Sequence, residues 1–200
     1  MRYGLYGLSE LLNDKSVRGL TLNALDEFDC GHNAHDVMTY LRERAVVDDF
    51  VGRCRTYLVV DLDRIFARDP KVEILAYFTI TQHRLDISEL MRDESFSEVG
   101  EYLLGDDMFH GDAPRTVNGY LIVQFARAVS LPPGSARGFL QFAQTTIERA
   151  SELVGGTYIV LDCGAERLRD YYQDFGFECI RTEEDESGGT VYQMFKLIDR

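Results

Sequence analysis

Tyr158–Ile180 reads YIVLDCGAERLRDYYQDFGFECI. Its first residues are apolar, β-branched or aromatic, and with Thr157 they predict a short buried strand over Thr157–Asp162. The charged stretch Glu166–Phe175 predicts a helix, with Tyr171 and Tyr172 adjacent near its end. Gly176 follows, as glycines do past helix C-termini. Phe177–Thr182 returns to a strand pattern. Strand, helix and strand in so short a span predict a sheet covered by helices. They also raise a chemical question: what needs a tyrosine one turn before a glycine?

Upstream, NGYLIVQFARAV (Asn118–Val129) is nearly continuous in apolar residues and predicts a central strand. LPPGS (Leu131–Ser135) breaks it. Ala136–Val154 predicts a long amphipathic helix with Phe139, Leu140, Ala143 and Ile147 on one face, stopped by Gly155-Gly156. Earlier still, Val37, Met38, Leu41, Ala45 and Val46 fall at helical spacing and predict a helix over Asn33–Val51. Cys54–Asp63 and Lys71–Gln82 predict two strands of a hairpin, separated by the turn signal Asp69-Pro70. At the far end, Thr190–Ile198 predicts a last strand joined to its predecessor by the acidic hairpin EEDESGG. The order predicts an α/β fold, a central mixed sheet flanked by helices, in a single domain spanning 1–200. Residues 1–25 read as an N-terminal extension. Residues 84–116, polar and glycine-dotted, read as an irregular insertion that could shape a substrate site.

Composition narrows the function. The chain has 200 residues, 45% of them hydrophobic, which suits one folded domain. No apolar run is long enough to span a membrane, and the first residues lack the apolar core of a signal peptide, so a soluble, cytoplasmic protein is expected. The net charge of −13 argues against nucleic acid as a partner. Arg42, Arg44, Arg53 and Arg55 could form a local basic face, but ordinary solvated helix and strand ends explain them as well. Cys30, Cys54, Cys163 and Cys179 are widely spaced and read as free thiols. Cys30, His32 and His35 lack a second cluster of ligands, so no metal is expected.

A central strand, a tight turn and a helix start make an anion site, because the first helical N–H groups have no partner in the helix and the dipole is positive there. The turn here is PPGSARG, with Gly134 and Gly138 allowing close approach and Arg137 adding charge. These residues, with Tyr172 placed four before Gly176-Phe177, resemble the GNAT superfamily of acyl-CoA-dependent N-acetyltransferases. The resemblance covers roughly Leu25 to Leu197. The superfamily's pyrophosphate loop runs Arg or Gln, two residues, Gly, one residue, Gly or Ala. Gly134, Ser135 and Ala136 keep its end, whereas Leu131 replaces its leading residue. FDCG (Phe28–Gly31) with RTYLVVD and ILAYFTI resembles the branch that includes toxins acetylating aminoacyl-tRNA.

The resemblance implies acetyl-CoA as donor, an amine on a small molecule or protein as acceptor, and a splayed cleft between the fourth and fifth strands. It implies cofactor contacts from Phe125, Ala126, Arg127, Gly134, Ser135, Ala136, Arg137 and Gly138. Backbone N–H groups of Phe125–Arg127 would polarise the thioester carbonyl. Tyr172 would donate a proton to the leaving thiolate, which answers the question about the tyrosine. Glu73, Asp86 and Glu101 are candidate bases that read equally as surface carboxylates. Cys163 lacks a nearby histidine and reads as a structural thiol. Two other readings stay open: a toxin acting on charged tRNA, and a non-catalytic relative whose prolines have degraded the loop. Relatives often dimerise, but nothing in this sequence forces a two-fold interface.

Overall fold

The computed structural model describes residues 2–31, 34–68, 70–86, 116–132, 134–185 and 188–198. Strand β1 (Tyr3–Gly7) leads into α1 (Leu8–Asn13) and α2 (Arg18–Glu27). Then come α3 (His35–Thr39), a π-helical turn (Tyr40–Arg44) and α4 (Ala45–Phe50). Strand β2 (Arg55–Asp61), the short helix α5 (Leu62–Ile65), β3 (Ile74–Asp86) and β4 (Thr116–Arg127) follow. The chain closes with α6 (Ala136–Val154), β5 (Tyr158–Cys163), α7 (Glu166–Gln173), β6 (Glu178–Glu184) and β7 (Thr190–Leu197). The strands form a mixed, seven-stranded sheet in the order β1-β2-β3-β4-β5-β7-β6, flanked by helices and not closed on itself.

The residues group into two compact units, Met1–Thr81 with Ile122–Thr146, and Gln82–Leu121 with Ile147–Arg200. In the first unit β2 pairs antiparallel with both β1 and β3. Strand alternation divides its core. Leu58 and Val60 pack with Leu8, Leu25, Leu41 and Tyr77. Val59 faces the other way, with Leu75, Ala76 and Phe139 of α6. The first 25 residues, expected as an extension, supply β1 and α1 to this unit, and Leu8 is fully buried. The strand signal was weak because YGLYG is short and carries two glycines.

In the second unit Tyr158 stacks on Phe195 at 5.4 Å and joins Leu85 and Val160 in a separate core cluster. Its hydroxyl lies 3.0 Å from His83 Nδ1 and bonds the carbonyls of His83 and Val117. Strands β4 and β5 pair in parallel at Tyr120↔Ile159 and Leu121↔Val160. β5 pairs antiparallel with β7, and β7 with β6. Most of the expected irregular insertion, 87–115, lies outside the described residues.

Candidate functional site

The turn after β4 is braced from within. Arg127 Nη1 donates to the carbonyls of Ala128 (3.0 Å) and Leu131 (2.8 Å). This guanidinium therefore wraps its own turn. Leu131, standing where the superfamily loop begins with Arg or Gln, packs against apolar clusters on both sides of the first unit. The residue is partly buried against the core. Just before it, Ala128 N–H donates to Leu75 O and Val129 N–H to Asp29 O.

The loop keeps part of an anion cradle. Gly134 sits at φ +88°, a left-handed conformation that other residues adopt only with strain. A side chain at Gly134 or Gly138 would meet nothing within 4 Å, so neither glycine is there for packing and both leave room for a ligand. The donors are fewer than in an ordinary loop. Pro132 and Pro133 have no N–H. Ser135 N–H turns onto Pro132 O (3.3 Å) and Arg137 N–H onto Gly134 O (3.2 Å). What remains is the open start of a 19-residue helix, with its dipole and the Arg137 charge. Further along α6, Gln144 is buried and its Nε2 has no hydrogen-bond partner among the described residues. Neither Leu131 nor Gln144 stands out in sequence: both read as ordinary members of an amphipathic pattern. The Gly134 turn and the open start of α6 fit a phosphate group, with reduced backbone help.

In the second unit the closing tyrosine has a structural explanation. Tyr172 O accepts N–H groups from Phe175 (2.9 Å) and Phe177 (3.2 Å), and Gly176 reverses the chain at φ +80°. That reversal brings Phe177 edge-on to the Tyr172 ring at 5.9 Å. Lys196 Nζ donates to Phe175 O (2.9 Å) and locks the helix end to β7. The spacing from Tyr172 to Gly-Phe is thus a helix-termination motif whatever the hydroxyl does. Tyr172 is 7% exposed and Tyr171 only half-buried, so the deeper of the two is the one the register selects. Burial pushes the Tyr172 hydroxyl well above its ordinary value, and Cys163 and Tyr171 push it the same way. It is a neutral phenol at any physiological pH. Burial likewise pushes the Cys163 thiol up to about 11, which favours its protonated form.

Glu73 makes a surface ion pair with Arg64 at 3.3 Å, Asp86 is engaged elsewhere, and Glu101 lies outside the described residues. The basic face is largely neutralised locally: Arg44 and Arg53 pair with Asp48, Arg55 with Asp49, and Arg42 donates to Phe28 O. Among the described residues no group of His, Cys, Asp and Glu could hold a metal ion, and no helix is long and apolar enough to cross a membrane. His32 lies outside the described residues. A hollow of about 420 Å³ in the second unit is lined by Arg84, Asn118, Tyr120 and Gly156, none of them among the expected site residues.

No family model and no curated protein matches the chain. Solved structures do. A Tyr→Phe mutant of KacT gives a TM-score of 0.66 at 14% identity, covering 99% of this chain and 96% of that one. AtaT complexed with acetyl-methionyl-tRNAfMet gives 0.65 at 16% identity, covering 96% and 94%. AtaTR bound with acetyl-CoA gives 0.62 at 14% identity, covering 98% and 93%. At such identities the likeness is one of architecture, and the architecture of this chain is the GNAT-like fold seen in the AtaT toxin and in KacT.

Proposed function

We propose that this protein is an acyl-CoA-dependent N-acetyltransferase that moves acetyl directly from acetyl-CoA to a primary amine. The observation that carries the proposal is the end-to-end match to AtaTR bound with acetyl-CoA, together with the retained Gly134 turn and the Tyr172–Phe177 motif. Acetyl-CoA supplies an activated thioester. The start of α6 and Arg137 would hold the pyrophosphate, as Gly134, Ser135, Ala136 and Gly138 let it approach the backbone. Backbone N–H groups of Phe125, Ala126 and Arg127 would stabilise the carbonyl oxygen as negative charge builds on it.

Tyr172 would act late in the transfer. Even at ordinary values a phenol near 10 and a thiol near 8.5 make full proton transfer uphill by roughly 2 kcal/mol. Burial of Tyr172 widens that gap. Its hydroxyl therefore helps most as a hydrogen-bond donor to sulfur as the C–S bond breaks. The amine must arrive neutral, and its proton leaves by a base or a water chain.

A narrower reading takes the acceptor to be the amine of an aminoacyl-tRNA. It is favoured by the likeness to AtaT complexed with acetyl-methionyl-tRNAfMet. The charge of −13 and the locally paired arginines weigh against it. Calorimetric titration with acetyl-CoA, in wild type and Arg137→Ala, tests the donor. Transfer of labelled acetyl to charged tRNA or to small amines tests the acceptor. Tyr172→Phe is expected to lower kcat by about a hundredfold with acetyl-CoA affinity unchanged. Equal loss of both would assign the residue to the cofactor or the fold, and no binding at millimolar acetyl-CoA would favour the non-catalytic reading.

A further inference from the structure

The helix α4 is amphipathic the wrong way round. Ala45, Asp48 and Asp49 share its inward face, continuing from Leu41 of the π-helical turn, with the Asp48 and Asp49 side chains 9% and 3% exposed. Val47, Phe50 and Val51, spaced to form one ridge, stand outward at 55%, 87% and 54% exposure. Burying two carboxylates while leaving a Val-Phe-Val ridge in water runs against the usual helix pattern. Single exposed apolar residues need no explanation, but a contiguous ridge does.

The buried acids have visible work. Asp49 accepts Thr56 N–H at 2.8 Å, and its backbone and side-chain oxygens accept from Arg55 Nη1. Asp48 accepts from Arg53 Nη1 at 2.9 Å and lies 3.6 Å from Arg44 Nη2. The effect is to hold three arginine side chains, each more than half exposed, beside the Phe50 ridge. Each guanidinium is tethered by one terminal nitrogen. Among the described residues its other N–H groups have no partner, so they remain able to meet an acceptor. An apolar centre beside pre-positioned arginines is the anatomy of a protein interface.

The chemistry of the occupant follows from charge. Three arginines against two aspartates leave this segment one positive charge in a chain of net −13. That is too little to hold a nucleic-acid backbone, even though the Phe50 ring is exposed. A second copy related by a two-fold axis would set arginines against arginines and bring two acidic chains together. We propose that the α4 ridge is a docking surface for an acidic, amphipathic segment of a partner protein. The segment's apolar residues would cover Phe50, Val47 and Val51, and its carboxylates would bond the outer N–H groups of Arg44, Arg53 and Arg55. The surface is independent of the proposed acetyl transfer.

The test uses the whole protein and a fluorescein-labelled helical peptide with leucines on one face and glutamates on the other. A scrambled peptide and a short RNA hairpin serve as comparators, and anisotropy is read at low and high salt. The amphipathic peptide should bind in the micromolar range, at least about tenfold tighter than its scramble, and weaken with salt. Phe50→Ser and Arg53→Glu should each lose about tenfold in affinity. Phe50→Ser should keep the wild-type melting temperature, since that ring is exposed. The proposal is overturned if no peptide binds at about 100 μM, or if binding survives both substitutions. It is also overturned if the hairpin binds through Phe50, or if the wild type sediments as a dimer that Phe50→Ser dissolves.

Discussion

Gly119→Ala probes the point where β4 and β5 are held together. A Cβ built on Gly119 would lie 2.6 Å from Tyr158 O and 2.7 Å from two carbons of the Tyr158 ring. Neither neighbour can retreat cheaply. The carbonyl is backbone. The ring is fully buried, stacked on Phe195, and its hydroxyl is tied to His83 and Val117. Real Cβ contacts start above 3.0 Å, so several tenths of an ångström must come from separating the strands. Overpacking of this kind costs about 1–3 kcal/mol. The reduced entropy of the unfolded chain with alanine offsets about 0.4–1 kcal/mol of that. The net loss is about 1–2 kcal/mol, and a chain of this length moves by about 2–4 °C per kcal/mol, so Tm should fall by about 2–8 °C. Thermal unfolding followed by circular dichroism measures this directly. The nearest ladder pairs are Tyr120↔Ile159 and Leu121↔Val160, so amide exchange at those residues should quicken more than at β1 or β2. A Tm equal to or above wild type would refute the close approach.

Burial pushes His83 below its ordinary value, against the pull of Asp162. The unfolded chain then takes up the proton first, so stability is full above about pH 6.5 and is lost as pH falls through that value. The urea midpoint should drop between about pH 7.5 and 5.5 in wild type and drop less in His83→Asn, and identical slopes would sink the assignment. Gln144→Leu removes a buried donor with no partner and should stabilise the fold by about 1 kcal/mol. If that donor serves the acyl donor, calorimetry should also show weaker acetyl-CoA binding; stabilisation with unchanged affinity would remove Gln144 from the site.

Legibility in the sequence followed how local each signal was. Helix α6 begins and ends where its apolar period, the upstream prolines and Gly155-Gly156 place it. The β2–β3 hairpin and the β6–β7 hairpin were legible because each strand carries its own β-branched or aromatic run. Strand β1 was not, since Tyr3–Gly7 is extended only because β2 lies beside it. Helix α2 shows only a weak apolar period and was missed for that reason. The helix stop at Tyr172–Gly176 was legible as a local rule, whereas the chemical role expected of Tyr172 came only from the resemblance. The roles of Leu131 and Arg127 depend on what packs against the turn, and no pattern in LPPGS announces them. The exposed ridge on α4 was hidden for a related reason. Its aspartates look solvated until Arg44, Arg53, Arg55 and the Thr56 N–H are folded against them.

Tyr172 is anchored by its carbonyl, which receives two backbone N–H groups, and by the face of its ring. Neither anchor involves the phenolic oxygen. Architecture and chemistry at this position are therefore inherited separately. On the proposed role of Tyr172, a descendant could replace the hydroxyl, lose turnover, and keep the same helix end, the same Gly-Phe signature and a comparable melting temperature. Shape and stability would rank the two alike, so only an assay of the proposed acetyl transfer can tell them apart.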